Sequence, residues 1–202
     1  LVDVSYSGDS GSLVDNGDAT FSFTPNENFN GDISLDVSVS DGTSISTGTA
    51  SVDVTAVNDL ATFPDPTYTI DEDTSITLTA EDILSNATDV DGDILTLESV
   101  DYTGSDGLLI ANEDGTYTFT PSENFNGDLD LSATINDGTA SVSAPAHIQV
   151  DAVNDSAVVQ DQAFTLNEDG SITITDAQLL SGASDVDAGD TLSVADVSYS
   201  GT

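Results

Sequence analysis

The 202-residue chain carries 38 Asp and Glu, one His and neither Lys nor Arg, for a formal net charge of −38 at pH 7. Self-repulsion of that size opposes compaction unless counter-charge comes from outside the chain, and without Lys or Arg there is nothing to hold nucleic acid or an anionic membrane by its phosphates. Cys, Met and Trp are absent, which excludes disulfides and thiolate metal sites; no apolar run reaches a membrane span and no basic leader is present, so neither a span nor a signal peptide is expected in this segment.

Hydrophobic residues make up 37% of the sequence and recur along its whole length, enough to build a core. Alternation of apolar residues with Thr, Ser or Asp predicts strands at 20–24, 33–39 and 52–57, then at 76–79 and 95–102, and finally at 116–120, 129–135 and 148–153. Asp, Asn and Gly turns separate them, as at Asn112-Glu113-Asp114-Gly115 and Asp137-Gly138. Only 80–85 and 176–181 read as helical turns. His147, between positions of a strand pattern, is expected on its exposed face.

The elements repeat. Phe21-Ser22-Phe23-Thr24-Pro25 aligns with Tyr117-Thr118-Phe119-Thr120-Pro121, and Asn28-Phe29-Asn30-Gly31 with Asn124-Phe125-Asn126-Gly127, 96 positions on. Ala56-Val57-Asn58-Asp59 returns as Ala152-Val153-Asn154-Asp155, and Glu72-Asp73 as Glu168-Asp169. Asp89-Val90-Asp91-Gly92-Asp93 returns as Asp185-Val186-Asp187-Ala188-Gly189-Asp190, with one inserted residue, and residues 3–8 recur identically as 196–201. Such a chain is a window on a tandem array. About seven strands in a 96-residue period predict an all-β fold of Ig-like β-sandwich repeats. With the Val-Asn-Asp segments as linkers, 60–155 is one complete repeat, 1–59 the later strands of the preceding one, and 156–202 the early strands of the next. The expectation is either a longer array or neighbouring chains whose ends complete each other's sandwich by strand addition.

Only seven of the 38 acids are Glu; the rest are the short carboxylates of turns and Ca²⁺ loops. In Asp-Val-Asp-Gly-Asp, alternate carboxylates in a glycine-containing loop can direct several oxygens at one hard cation. Asp89 and Asp91, with Asp185 and Asp187 one period later, are the leading candidates, and Asp93 and Asp190 are further possible ligands of the same loops. The loop is not an EF-hand, since Val100 stands where the bidentate Glu would be.

The linker motif, Glu-Asp before a strand, Asp-Val-Asp-Gly-Asp, Thr-Tyr-Thr-Phe-Thr-Pro, Asn-Phe-Asn-Gly and Asn-Asp-Gly together resemble the tandem-95 or cadherin-like repeats of large bacterial surface proteins, including RTX-type adhesins. The resemblance covers essentially the whole chain. It implies Ca²⁺ bound at junctions between successive repeats. At the junction near 59 it implies Glu27 from below, Asn58 and Asp59 in the linker, and Asp89, Asp91 and Asp137 from above. At the junction near 155 it implies Glu72 and Glu123 from below, Asn154 and Asp155 in the linker, and Asp185 and Asp187 from above. Ala56 and Ala152 replace the first linker aspartate of the animal pattern, and Glu27 or Glu123 stands alone where the family has two acids. Fewer ions per junction, or ions confined to the Asp-Val-Asp loop, are then expected.

The function expected is structural: Ca²⁺-rigidified extender repeats of an extracellular adhesin or surface filament, with adjacent repeats or neighbouring copies as partners. Extracellular Ca²⁺ modules are tuned to about 10⁻⁴ to 10⁻³ M, which suits a secreted or cell-surface protein. Two alternatives are a glycan- or cell-binding module and a halophilic surface-layer protein whose acids serve hydration. An enzyme is not expected, because the acids sit in repeated loops and no His-centred triad can be assembled.

Overall fold

A computed structural model describes residues 2–200; Leu1, Gly201 and Thr202, at the outer ends of the two expected partial repeats, lie outside the described residues. The architecture is all-β and sandwich-like, in agreement with the sequence. Its first strands are β1 (Val2–Ser5), β2 (Gly11–Asp15), β3 (Phe21–Pro25), β4 (Gly31–Ser40) and β5 (Ile45–Val54). Then come β6 (Thr67–Asp71), β7 (Ile76–Leu78), the short helix α1 (Ala80–Leu84), β8 (Thr96–Asp101), β9 (Gly107–Ala111), β10 (Tyr117–Pro121), β11 (Gly127–Asn136), β12 (Ser141–Asp151) and α2 (Asp176–Leu179). Four sheets result, ordered β1-β4-β5, β2-β3, β7-β10-β9 and β6-β12-β11-β8. All eight predicted strand regions hold strands, and both helical turns form. Four strands lie outside the predicted regions: β1, β2, β6 and β9. In β9 the Leu-Leu-Ile run hides which residues face inward: Leu108 and Ile110 are exposed, with Leu109 between them.

The chain divides into two compact units. The first, residues 1–64, 80–100 and 133–144, buries Ile33, Leu35, Phe63, Ile83, Val100 and Ile135, with Asp137 as its buried acid. The second, residues 65–79, 101–132 and 145–202, buries Leu78, Phe119, Leu129, Leu131, Ile148 and Val150, with Glu72 as its buried acid. Within the second unit, Phe119 meets Tyr102 edge to face at 5.0 Å. A Cβ on Gly107 would collide with the Phe119 ring and approach the Thr120 carbonyl oxygen to 2.8 Å, so this close approach of β9 to β10 requires glycine. The first unit repeats the device with Tyr6 on Phe23 and Gly11 against both the ring and Thr24.

Turns follow the residues that specify them. Asp114 Oδ1 accepts the Thr116 N–H at 3.1 Å and its hydroxyl at 2.7 Å, and Gly115 takes φ +83°. The equivalent Asp18 holds Thr20 in the same way. α2 carries a capping box, in which Thr175 and Gln178 satisfy each other's backbone N–H. Residues 156–200 differ from expectation: they contain α2 and an isolated bridge from Val158 to Ser184, but no strand. The physical reason lies in the pairing. Early strands of a repeat pair with later ones, β6 with β12 and β7 with β10, and an isolated early strand has no ladder to join.

Candidate metal centres

The Asp-Val-Asp loops are closed by their own side chains. Asp89 Oδ1 accepts the Asp91 N–H at 2.8 Å and the Asp93 N–H at 3.3 Å, with Gly92 at φ +80°. Asp185 Oδ1 accepts the Asp187 N–H at 3.1 Å, and Gly189 takes φ +106°. Such Asx turns fold each loop back on its first aspartate. One carboxylate oxygen from each of Asp89, Asp91 and Asp93 lies within 4.8 Å of the others, and the same holds for Asp185, Asp187 and Asp190.

In the first unit, the linker is tied to its loop. The Asp59 N–H donates to Asp91 Oδ2 at 2.8 Å, and Asn58 Nδ2 donates to Asp137 Oδ2 at 3.0 Å and to the Asp59 carbonyl at 2.8 Å. Asp137 is buried and also accepts the Thr139 and Ala140 N–H groups at 2.7 and 2.6 Å. These bonds, that from Asn58 foremost, hold its carboxyl below the usual aspartate range. Asp89 Oδ2 is buried and has no hydrogen-bond partner. Beside the linker lies a cavity of about 170 Å³ lined in part by Asn28, Asn30, Asp59 and Asp91.

In the second unit the same linkage recurs: the Asp155 N–H donates to Asp187 Oδ2 at 2.7 Å, and Asn154 Nδ2 donates to the Asp155 carbonyl. Buried Glu72 enters from the strand side, with Oε1 accepting the Val153 N–H at 2.6 Å and Oε2 the Asn126 amide at 3.3 Å. Glu72, Asp155 and Asp187 each bring an oxygen within 4.8 Å of the other two. Asp155 Oδ2 is buried without a partner. Burial first, then the charges of Asp73, Asp187, Glu72 and Asp185, push its carboxyl above the usual range.

Of the expected ligands, Asp89, Asp91, Asp93, Asn58, Asp59 and Asp137 therefore form one linked set, and Glu72, Asn154, Asp155, Asp185, Asp187 and Asp190 another. Glu27 and Glu123 are exposed and belong to none of the three-acid groups found among the described residues. Asn126 contacts the second set in place of Glu123, through Glu72, and the Asn124 N–H donates to the adjoining Asp73 Oδ1 at 2.9 Å. Sequence reasoning missed Asp73 and Asn126, although both lie in motifs that repeat, Glu-Asp and Asn-Phe-Asn-Gly. The donor set is hard oxygen throughout, and two buried carboxylate oxygens lack any partner. These residues fit Ca²⁺, which takes six to eight such oxygens.

His147 departs from the expectation of a simple exposed strand residue. Its Nδ1 lies 2.6 Å from Asp130 Oδ1 and its Nε2 3.8 Å from Asp65 Oδ2. The Asp130 hydrogen bond foremost raises its pKa above 6.5.

Comparison with known proteins adds the following. The family described as a cadherin-like domain matches residues 1–55, 57–151 and 153–202. Among curated proteins, none matches the chain in sequence. Similar solved structures include an endo-fucoidan hydrolase, MfFcnA4 (20% identity, TM-score 0.30, covering 75% of this chain and 24% of that one). They also include mouse clustered PcdhgC3 EC1-3 (17%, 0.37, 76% and 55%) and the surface-layer protein SbsC domains 4 and 5 (18%, 0.29, 68% and 66%). The chain thus spans about a quarter of the hydrolase, and at these scores the likeness bears on no activity.

Proposed function

This chain belongs to the cadherin-like domain family, and we propose that it is a Ca²⁺-stiffened structural repeat of an extracellular or cell-surface protein. The observation that carries the reading is the duplicated linker: Asp59 and Asp155 each donate a backbone N–H to the middle Asp of the following Asp-Val-Asp loop, next to a carboxylate oxygen buried without a partner. With Ca²⁺ bound, Asp89, Asp91 and Asp93, aided by Asn58, Asp59 and Asp137, hold the first linker. Glu72, Asn154, Asp155, Asp185, Asp187 and Asp190 hold the second. The ion supplies the positive charge that the chain lacks. Without it, carboxylates within 4.8 Å repel and the linker segments act as hinges; with it, consecutive repeats of 60–155 type are held in line as a rod.

A structural role is favoured over glycan or cell binding because the site residues recur once per period. Halophilic hydration accounts for the charge but not for its return at Asp185, Asp187 and Asp190 after one period. No described helix is long and apolar enough to cross a membrane. Small-angle scattering in millimolar Ca²⁺ and after chelation tests the proposal. The maximum dimension and rigidity should fall on chelation; identical profiles would sink it.

A further inference from the structure

Within the complete repeat, the sheet β7-β10-β9 ends on β9, whose outer edge carries no strand among the described residues. Bonds at either end of the β9–β10 ladder fix which groups face that edge: the Asn112 N–H donates to the Thr116 carbonyl at 2.8 Å, and the Ser122 N–H to the Asp106 carbonyl at 2.9 Å. By antiparallel alternation, residues 106, 108, 110 and 112 bond to β10, and Gly107, Leu109 and Ala111 point their N–H and C=O groups outward. The outer face of the same strand holds Leu108 at 61% and Ile110 at 50% exposure, opposite the uncharged Thr120 and Thr118. Edge strands are commonly guarded by a charge or a proline, and β9 has neither. The equivalent strand β2 carries Ser12 and Asp15 where β9 has Leu108 and Ala111, so of the two only β9 is unguarded.

We propose that β9 of one copy pairs antiparallel with β9 of a second copy about a two-fold axis at Leu109, so that two repeats join side by side through one continuous sheet. In this register Leu109 faces itself and Gly107 faces Ala111 of the other copy, each pair exchanging edge hydrogen bonds, while Leu108 lies opposite Ile110 twice on the outer face. Beyond the strand Asp106 meets Asn112 and Glu113 meets Ser105, so no acid faces an acid. Neighbouring registers fail: a centre at Ile110 sets Asp106 against Asp114, and one at Leu108 sets Ile110 against Asp106. This match favours a second copy as the occupant, since a chain of net charge −38 admits its like only where carboxylates do not meet. The contact is isologous and closes at two copies. Added ladder hydrogen bonds and burial of alternate side chains drive it. A strand of five residues falls well short of the about 800 Å² per partner of a standard interface, so the association is weak, with a dissociation constant of about 10⁻⁴ to 10⁻³ M. Salt strengthens it by screening the charge elsewhere on the two copies.

Two single-cysteine variants of the full chain, which has no cysteine of its own, test this. Leu108→Cys mixed with Ile110→Cys and mildly oxidised should give a reducible dimer. Residues opposite each other at a non-hydrogen-bonded position have Cα atoms about 4.5 Å apart, inside the about 4.4–6.8 Å that a disulfide accepts. Either variant alone should give several-fold less, because like residues then lie on a diagonal about 7–8 Å apart. Equal dimer yields in all three samples, or none in the mixture, would overturn the proposal. Sedimentation of the unmodified chain provides a second reading: up to about 1 mM its mass should rise from 20.7 kDa toward twice that value, and the rise should be larger in about 0.5 M than in about 0.05 M salt. Leu108→Ser with Ala111→Asp, which introduces the residues that β2 carries at these positions, should abolish the rise. A constant 20.7 kDa, or an unchanged rise in the variant, refutes it equally.

Discussion

Asp187→Asn should stabilise the Ca²⁺-free protein and lose that advantage when Ca²⁺ is present. Asp187 belongs to both acid groups of the second site, and its Oδ2 accepts the Asp155 N–H at 2.7 Å. The amide oxygen of Asn keeps that acceptor, so the substitution removes charge with little change of shape. Two like charges 4.8 Å apart repel by about 1 kcal/mol at the dielectric of water and about 3–4 kcal/mol at an effective value of 20. Asp185 and Asp190 stay close to residue 187 in the unfolded chain, so their repulsion largely cancels. The contact with Glu72 does not, and removing it should stabilise the Ca²⁺-free protein by about 1 kcal/mol. With Ca²⁺ the loss of a charged ligand should weaken binding by roughly tenfold, or about 1.4 kcal/mol. At 10 mM Ca²⁺ and a dissociation constant of about 10⁻⁴ to 10⁻³ M, the parent chain gains about 1.4–2.7 kcal/mol. The variant's gain should be about 1 kcal/mol smaller. Thermal unfolding followed by circular dichroism resolves this, since 1 kcal/mol moves the midpoint of a repeat this size by about 4–8 °C. An equal upward shift under both conditions, or no upward shift without Ca²⁺, would refute the reasoning.

Acidification probes the same site. The Asp155 carboxyl is raised above 3.8, so its charge destabilises the fold at neutral pH, and Ca²⁺-free protein should gain stability as pH falls from 7 through that folded pKa. Asp155→Asn should remove the gain, and urea midpoints that coincide for the two proteins between pH 7 and 4 would count against it. His147 has its pKa raised above 6.5, chiefly by Asp130; its stabilisation is complete below pH 6.5 and fades as pH rises through the folded pKa. The single imidazole resonance in an NMR titration should report that elevated pKa, and Asp130→Asn should bring it down. In the core, Ile148→Ala should cost about 2–5 kcal/mol, whereas Val52→Ala at the equivalent but exposed position should cost less than about 1 kcal/mol. Equal losses from equilibrium denaturation would mean that Val52 is already packed.

Much of the fold was legible because the period of a strand is local. Alternation placed β10 and β11 to within about two residues and gave every strand of 60–155 except β6 and β9. The Thr-Tyr-Thr-Ile-Asp alternation of β6 carries the same signal as the rest, whereas β9 does not. The Asp-Val-Asp loops were legible for a similar reason, since an Asx turn is made by residues two apart. Glu72 came from family likeness, and nothing in its neighbours announces that it is buried with its carboxylate on the Val153 amide.

By itself the sequence determined the charge that only external cations can balance, the strand period and the recurrence of each loop, because these depend on residue type and on neighbours a few positions away. Tertiary structure alone decided which acids meet. Glu72, Asp155 and Asp187 are far apart in the chain and converge only when β6, the linker and the loop pack together, and Asn126 rather than Glu123 turns toward them. It likewise decided that equivalent residues have unequal fates, Ile148 buried and Val52 open, because burial depends on whether a partner strand is there to cover the edge.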